Sequence, residues 1–262
     1  MVVRRVVRRR IVGRSLLVIG GAALGVMVLT GCGSSELESA PVERKSFAFD
    51  GDTLEVETDD SEIVLVAADV KDVEVARQVD GWGVFGSGPE PVWRLEDGKL
   101  SLRVECDAMI SDCESRHEVR VPRGVAVTAS GENGDLTAEG FASPLRLTSD
   151  NGTVSARDVT GALDLTSNNG DIRVEGRTPA QVTARAENGD LRLVLDRAPE
   201  KVDLVNDNGG VVIEVPGGAT TYDVDAQSAN GEVSVDVPTD PKSIRKVGVR
   251  ASNGDIRVRA MN

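Results

Sequence analysis

Seven Asn-Gly pairs punctuate the chain, at Asn133–Gly134, Asn151–Gly152, Asn169–Gly170, Asn188–Gly189, Asn208–Gly209, Asn230–Gly231 and Asn253–Gly254, with spacings of 18, 18, 19, 20, 22 and 23 residues. Self-similarity at such a period marks a repeat architecture and limits the fold before any single residue is considered. With the copies aligned on Asn, the positions three and five later are apolar in every case, from Leu136 and Ala138 to Ile256 and Val258. The residue between them is polar in all but Val212. Four and six residues before each Asn the pattern returns, from Ala129 and Val127 to Val249 and Val247. A period of two is a strand signal, so each repeat is strand, Asn-Gly turn, strand. The turn and its two arms keep one length, and all variation falls in the opposite connections, such as "RDVTG" and "VPTDPKSIRK".

Two folds satisfy this pattern. Asn-Gly tolerates positive φ in any tight turn, and it is also the strongest short-range signal for a two-residue hairpin. An antiparallel β-meander would therefore place Leu165 opposite Val174. A β-solenoid would instead stack equal offsets in adjacent rungs, with Leu165 against Leu147 and Ala184. Every strand has one apolar face to bury, and no helical period in the chain after Gly31 offers a second layer. A solenoid supplies that layer itself, because each coil contributes to two facing sheets. The residue two before Asn is small in most copies (Gly131, Ser149, Ser167, Ala186, Ser228, Ala251), as an inside corner requires. The pattern favours an all-β solenoid with about 18–23 residues per rung, with the meander as the alternative.

Residues 1–31 stand outside the repeat. Six arginines from Arg4 to Arg14 precede the apolar run "SLLVIGGAALGVMVLTGC", the layout of a secretory signal. "LTGC" at its end resembles the bacterial lipobox, which makes Cys32 the lipidated first residue after cleavage. A lipid-anchored protein on the outer face of the cell membrane follows. The diacylglycerol that such a pattern implies meets the need for more than one acyl chain in stable anchoring. Residues 32–46, "CGSSELESAPVERKS", are small, polar and aperiodic and are expected to form a flexible tether.

Residues 47–125 carry a degenerate form of the repeat, and residues 126–262 the regular one, as one continuous solenoid. "LEVETDDSEIVLV" keeps both arms with Asp-Asp-Ser in place of Asn-Gly, and "DGWGVFGSGPEPVW" interrupts the pattern with Trp82 and Trp93. Terminal repeats are expected to be atypical, and these two aromatics are expected to cover the open end of the core. Cys106 and Cys113, an even count in an oxidising compartment, are expected to form a disulfide. A zinc site using His117 would lack a fourth ligand, since this is the only His in the chain.

Loss of residues 1–31 removes six arginines and no acid, taking the net charge from −13 to −19. Such a chain repels nucleic acid and bare anionic lipid. Asp135, Asp171, Asp190, Glu232 and Asp255 follow an Asn-Gly, and Glu132, Asp150, Glu187 and Asp207 precede one. Stacked at about 4.8 Å, they form ladders of like charge. Calcium could bind them, but the Gly-Gly-x-Gly-x-Asp signature of calcium β-rolls is absent, and turn carboxylates capping backbone N–H groups in Asx-turns explain them better. No cofactor is implied. No G-x-S-x-G, H-E-x-x-H or Walker A stands in the chain after Gly31, and a non-enzymatic role is expected.

Together the lipobox, the tether, the Cys pair ahead of "VRVPRGVAV" and the frames "GENGDLTAEG", "NNGDIRVEG" and "SNGDIRVRA" resemble the bacterial "putative adhesin" family of β-strand-repeat envelope proteins of unknown function. The resemblance covers most of the chain after residue 31. It implies a right-handed single-stranded β-helix, no catalytic residues, and a link to adhesion or, in other branches, to envelope-stress signalling. Adhesin or surface-binding scaffold, envelope-stress partner module and polysaccharide-active enzyme are the readings in that order. The partners expected are the membrane through the lipid and an envelope protein or glycan.

Overall fold

The structure, a computed structural model, describes residues 37, 39–86, 89–105, 108–177 and 179–261, with side chains at 82–86 and 108–112 left undescribed. Cys32, Cys106 and the secretory signal lie outside the described residues. Seven strands occupy the N-terminal part: β1 Glu43–Phe47, β2 Thr53–Asp60, β3 Glu62–Ala68, β4 Val73–Gly86, β5 Glu90–Glu96, β6 Lys99–Glu105 and β7 Ala108–Pro122. Fourteen follow, two per Asn-Gly: β8 Ala126–Asn133 and β9 Leu136–Glu139, β10 Leu145–Asn151 and β11 Val154–Arg157, β12 Leu163–Asn169 and β13 Ile172–Gly176, β14 Gln181–Asn188 and β15 Leu191–Leu195, β16 Lys201–Asn208 and β17 Val211–Val215, β18 Asp223–Asn230 and β19 Val233–Asp236, β20 Lys246–Asn253 and β21 Ile256–Ala260.

The two strands flanking an Asn-Gly do not pair with each other. The first joins a ten-stranded sheet and the second an eleven-stranded sheet, so the chain coils as a solenoid. The Asn-Gly is a corner between sheets, and no hairpin meander is formed. Pairing between coils is parallel and in register: Leu165 lies level with Leu147 and Ala184, and Ile172 with Val154 and Leu191. The apolar positions of both arms face inward and form one aliphatic core. Of the twenty-eight arm positions defined by the repeat, only Val224, Ala226, Val233 and Val235 fail to be buried, and all four belong to β18–β19.

Coil order departs from chain order at both ends. The last coil, β20–β21, lies between β16–β17 and β18–β19. Asn253 therefore stacks on Asn208, and Asn230 ends the column. At the other end β8–β9 pairs with β2–β3 rather than with β6–β7, which precedes it in sequence. Coils of one pattern are interchangeable partners, so connection length decides. The chain spends residues 216–222 between β17 and β18 and 237–245 between β19 and β20. These are the longest connections of the regular part, and extended chain gains about 3.3 Å per residue, enough to climb past one rung.

Two expectations need correction. The tether does not extend to residue 46, because Glu43–Phe47 forms β1, antiparallel to β4. Gln78 on β4 also donates from Nε2 to the carbonyls of Leu37 and Ala40, at 3.2 and 3.1 Å. The free edge of β4 offers backbone groups that a polar segment satisfies as well as an apolar one. The N-terminal part is also not coil throughout, since β1, β4 and β5 run antiparallel to their neighbours and finish the stack.

Candidate functional site

The fixed corner carries a continuous column of side-chain hydrogen bonds. Each Asn donates from Nδ2 to the Oδ1 of the Asn one coil below: Asn151 to Asn133, Asn169 to Asn151, Asn188 to Asn169, Asn208 to Asn188, Asn253 to Asn208 and Asn230 to Asn253, all at 3.0–3.1 Å. Asn133 closes the column on Asp60, the residue that replaces Asn in the β2–β3 coil, at 2.6 Å. The glycines stack beside them. A Cβ on Gly170 would stand 2.1 Å from the Gly152 carbonyl oxygen, and at Gly152 it would stand 2.3 Å from that of Gly134. Close approach between coils therefore demands glycine here in addition to the positive φ of these turns.

The inside-corner residues are more than small. Ser167 Oγ, Asn206 Nδ2 and Ser228 Oγ donate to the carbonyls of Gly152, Gly189 and Gly254. Four of the five acids after Asn-Gly cap backbone N–H groups, but those of the neighbouring coil. Asp135 Oδ1 accepts from Thr153 N–H at 2.7 Å, Asp171 from Asp190 at 2.9 Å, Asp190 from Gly210 at 2.8 Å and Asp255 from Glu232 at 3.0 Å. The local Asx-turn reading is thus corrected: stacking sets the next coil's N–H against the carboxylate. In the column before Asn, uncharged residues interrupt the acids, with Asn168 donating to Asp150 at 2.8 Å and Ser252 to Asp207 at 3.1 Å. Among the described residues no three His, Cys, Asp or Glu side chains converge to hold a metal.

The N-terminal end has a different chemistry. Trp93 is half-buried against the core, edge-on to Phe47 with centroids 6.5 Å apart. The Arg77 guanidinium lies 3.7 Å from its ring centroid, while Arg77 Nε and Nη2 donate to Glu43 at 2.7 and 2.6 Å. Trp93 does cover this end of the core, and the side chain of Trp82 is not described. His117, level with Arg77 across the β4–β7 ladder, is fully buried. Neither ring nitrogen has a hydrogen-bond partner among the described residues. Burial, helped by the Arg77 charge, lowers its pKa to about 4. Sequence reasoning treated His117 as ordinary; its position on the apolar parity of β7, with Val119 and Val121, was the available signal.

Of the Cys pair only Cys113, on β7, is among the described residues, close to a corner position. Thr58 is level with Leu102 and Glu62 with Arg116, so Val104 stands at the Asn level and Ser115 at the Gly level. Ser115 Oγ contacts Ser61 Oγ and donates to the Asp60 carbonyl at 3.2 Å. Cys113, two residues before Ser115 on β7, is level with Gly81 of β4.

The outer faces carry several ion pairs. A hollow of about 470 Å³ over β1, β4 and β7 is lined by Arg44, Lys45, Glu74, Glu118 and Arg120, with Arg120 paired to Glu74 at 3.0 Å. Glu214 sits between Arg259 and Arg192, at 3.0 and 2.6 Å. Hydrogen bonding from Arg259 first, then the charges of both arginines, holds its carboxyl below the usual range. Neither place brings a nucleophile and a base together. Tyr222, missed at the sequence level, is fully buried in the connection before β18 and donates to the Pro216 carbonyl at 2.8 Å.

Residues 51–259 match the family described as Toastrack DUF4097. Among solved structures, a "putative adhesin" from Bacteroides fragilis aligns at 14% identity with a TM-score of 0.51, over 84% of this chain and 98% of the other. One from Parabacteroides merdae aligns at 13% identity and 0.44, over 86% and 98%. No curated protein sequence gives a significant match. The Bacteroides likeness concerns the fold.

Proposed function

The chain belongs to the Toastrack DUF4097 family, and on that premise we propose that it is a non-enzymatic, lipid-anchored envelope protein whose solenoid flanks form a binding surface for adhesion or scaffolding. One observation carries the reading. The polar residues with the highest order, the Asn, Gly and Asp columns, spend their hydrogen bonds on joining coils. The interior is aliphatic, which leaves the two long outer faces for partners. Large, flat, repetitive surfaces suit extended ligands, a use common to solenoids. A coil that leaves a sheet and returns to a parallel neighbour is right-handed in nearly all such connections, and we assign that hand here.

In this reading Cys32 carries the lipid, the segment before β1 spaces the solenoid from the outer face of the membrane, and the partner is an envelope protein or glycan. Photo-crosslinkers at Thr148 and Arg173, one on each outer face, test it in intact cells. The expected products are adducts to an envelope protein or glycan, lost on displacement of the protein from the membrane by Cys32→Ala. Catalytic turnover of a cell-wall or extracellular polysaccharide, abolished by replacing one Asp or Glu, would replace this reading with an enzymatic one.

A further inference from the structure

Asn-Gly carries a chemical liability that stacking controls. The Gly backbone nitrogen can attack the Asn side-chain carbonyl carbon, because glycine has no side chain to obstruct the approach. A bond forms from that nitrogen to Cγ, and the bond from Cγ to the amide nitrogen breaks. The amide leaves as ammonia, taking up the proton that the Gly nitrogen gives to solvent. Water then opens the cyclic imide at either carbonyl, giving Asp or its β-linked isomer. The reaction needs a Gly N–H free of other bonds and an Asn side chain free to turn.

Six of the seven pairs meet neither requirement. The N–H groups of Gly134, Gly152, Gly170, Gly189, Gly209 and Gly254 donate to the Asn carbonyl of the next coil, at 2.8–3.0 Å. The Oδ1 of each Asn in those six pairs accepts the next coil's Asn amide. Reaction there requires two coils to part. At the open end, formed by β18–β19, no coil follows among the described residues. Gly231 N–H and Asn230 Oδ1 have no hydrogen-bond partner among the described residues, and both residues are exposed. Asn230 is held on one side alone, by its amide on Asn253 at 3.0 Å and on the Ser252 carbonyl at 3.4 Å. Gly231 also lacks the positive φ shared by the other six glycines.

We infer that Asn230–Gly231 is the site at which the folded protein deamidates, adding a negative charge beside Glu232 at the end of the solenoid. Sequence order would single out Asn253–Gly254, the last pair. Intercalation of β20–β21 covers that pair and leaves Asn230 uncovered.

The test is ageing of the native full-length chain in mildly alkaline ¹⁸O-water, followed by peptide mass spectrometry at all seven pairs. Label should enter the Asn230 peptide roughly tenfold or more faster than the other six, the factor expected when two hydrogen bonds, from the Gly N–H and to the Asn Oδ1, must be broken first. In urea-unfolded chain the seven should react at comparable rates. Label appearing first at Asn253, at all seven alike in native protein, or at Asn230 only after unfolding would overturn the inference.

Discussion

His117 offers a clean pH experiment, because it is the only histidine in the chain. Its folded pKa is about 4, lowered by burial and then by Arg77, against about 6.5 when unfolded. The folded state therefore keeps the ring neutral, while the unfolded state takes up a proton as pH falls below about 6.5. The stability contribution is present above that pH and is lost progressively down to about pH 4. At about 1.4 kcal/mol per unit, the loss between pH 7 and pH 5 is about 2 kcal/mol, approaching about 3 kcal/mol near pH 4. Carboxylates titrate in the same window, so the measurement must be a difference. His117→Leu removes the titration and also two ring nitrogens without partners, so the variant should be at least as stable as wild type at pH 7. Urea unfolding of both proteins at pH 7, 6, 5 and 4.5, followed by circular dichroism, gives the difference directly. The gap should widen in favour of the variant by about 2 kcal/mol from pH 7 to pH 5. A gap that stays flat would refute the buried, neutral imidazole and the packing of β7 that creates it.

Other outcomes follow from the same geometry. Leu204→Cys with Val249→Cys should oxidise readily, since the two are level in neighbouring strands, whereas Leu204→Cys with Ala226→Cys should not, at two rungs or about 9.6 Å; the opposite result would mean that coils stack in chain order. Gly170→Ala should lower stability by at least about 2 kcal/mol in thermal or urea unfolding, because its Cβ would meet the Gly152 oxygen at 2.1 Å in a turn of positive φ. A loss below about 0.5 kcal/mol would show that the corner relaxes freely. Cys106 and Cys113 are proposed to be bonded to one another, so neither should alkylate without reductant. Cys32→Ala should abolish labelling by a fatty-acid probe, and persistent label would place the lipid elsewhere.

Much of this architecture could be read from the residues. A strict period of two on both sides of a turn of constant length determines two strands per repeat with one apolar face each, and the small residue two before Asn favours an inside corner over a hairpin. That favoured Leu147 and Ala184 over Val174 as the neighbours of Leu165, and parallel pairing between coils decided it. The glycine at each corner could also be assigned a special backbone, although its second reason, contact with the carbonyl of the coil below, needed two coils in place. The order of the coils was beyond local pattern. Every arm presents the same alternation and the same hydrogen-bonding edge, so a coil pairs equally well with any other. Only the three-dimensional path of residues 216–222 and 237–245 seats β20–β21 inside β18–β19. The same path leaves Asn230 rather than Asn253 at the open end. Likewise, His117 meets Arg77 across an antiparallel pair whose partners stand forty residues apart, a separation at which period carries no information and only packing decides.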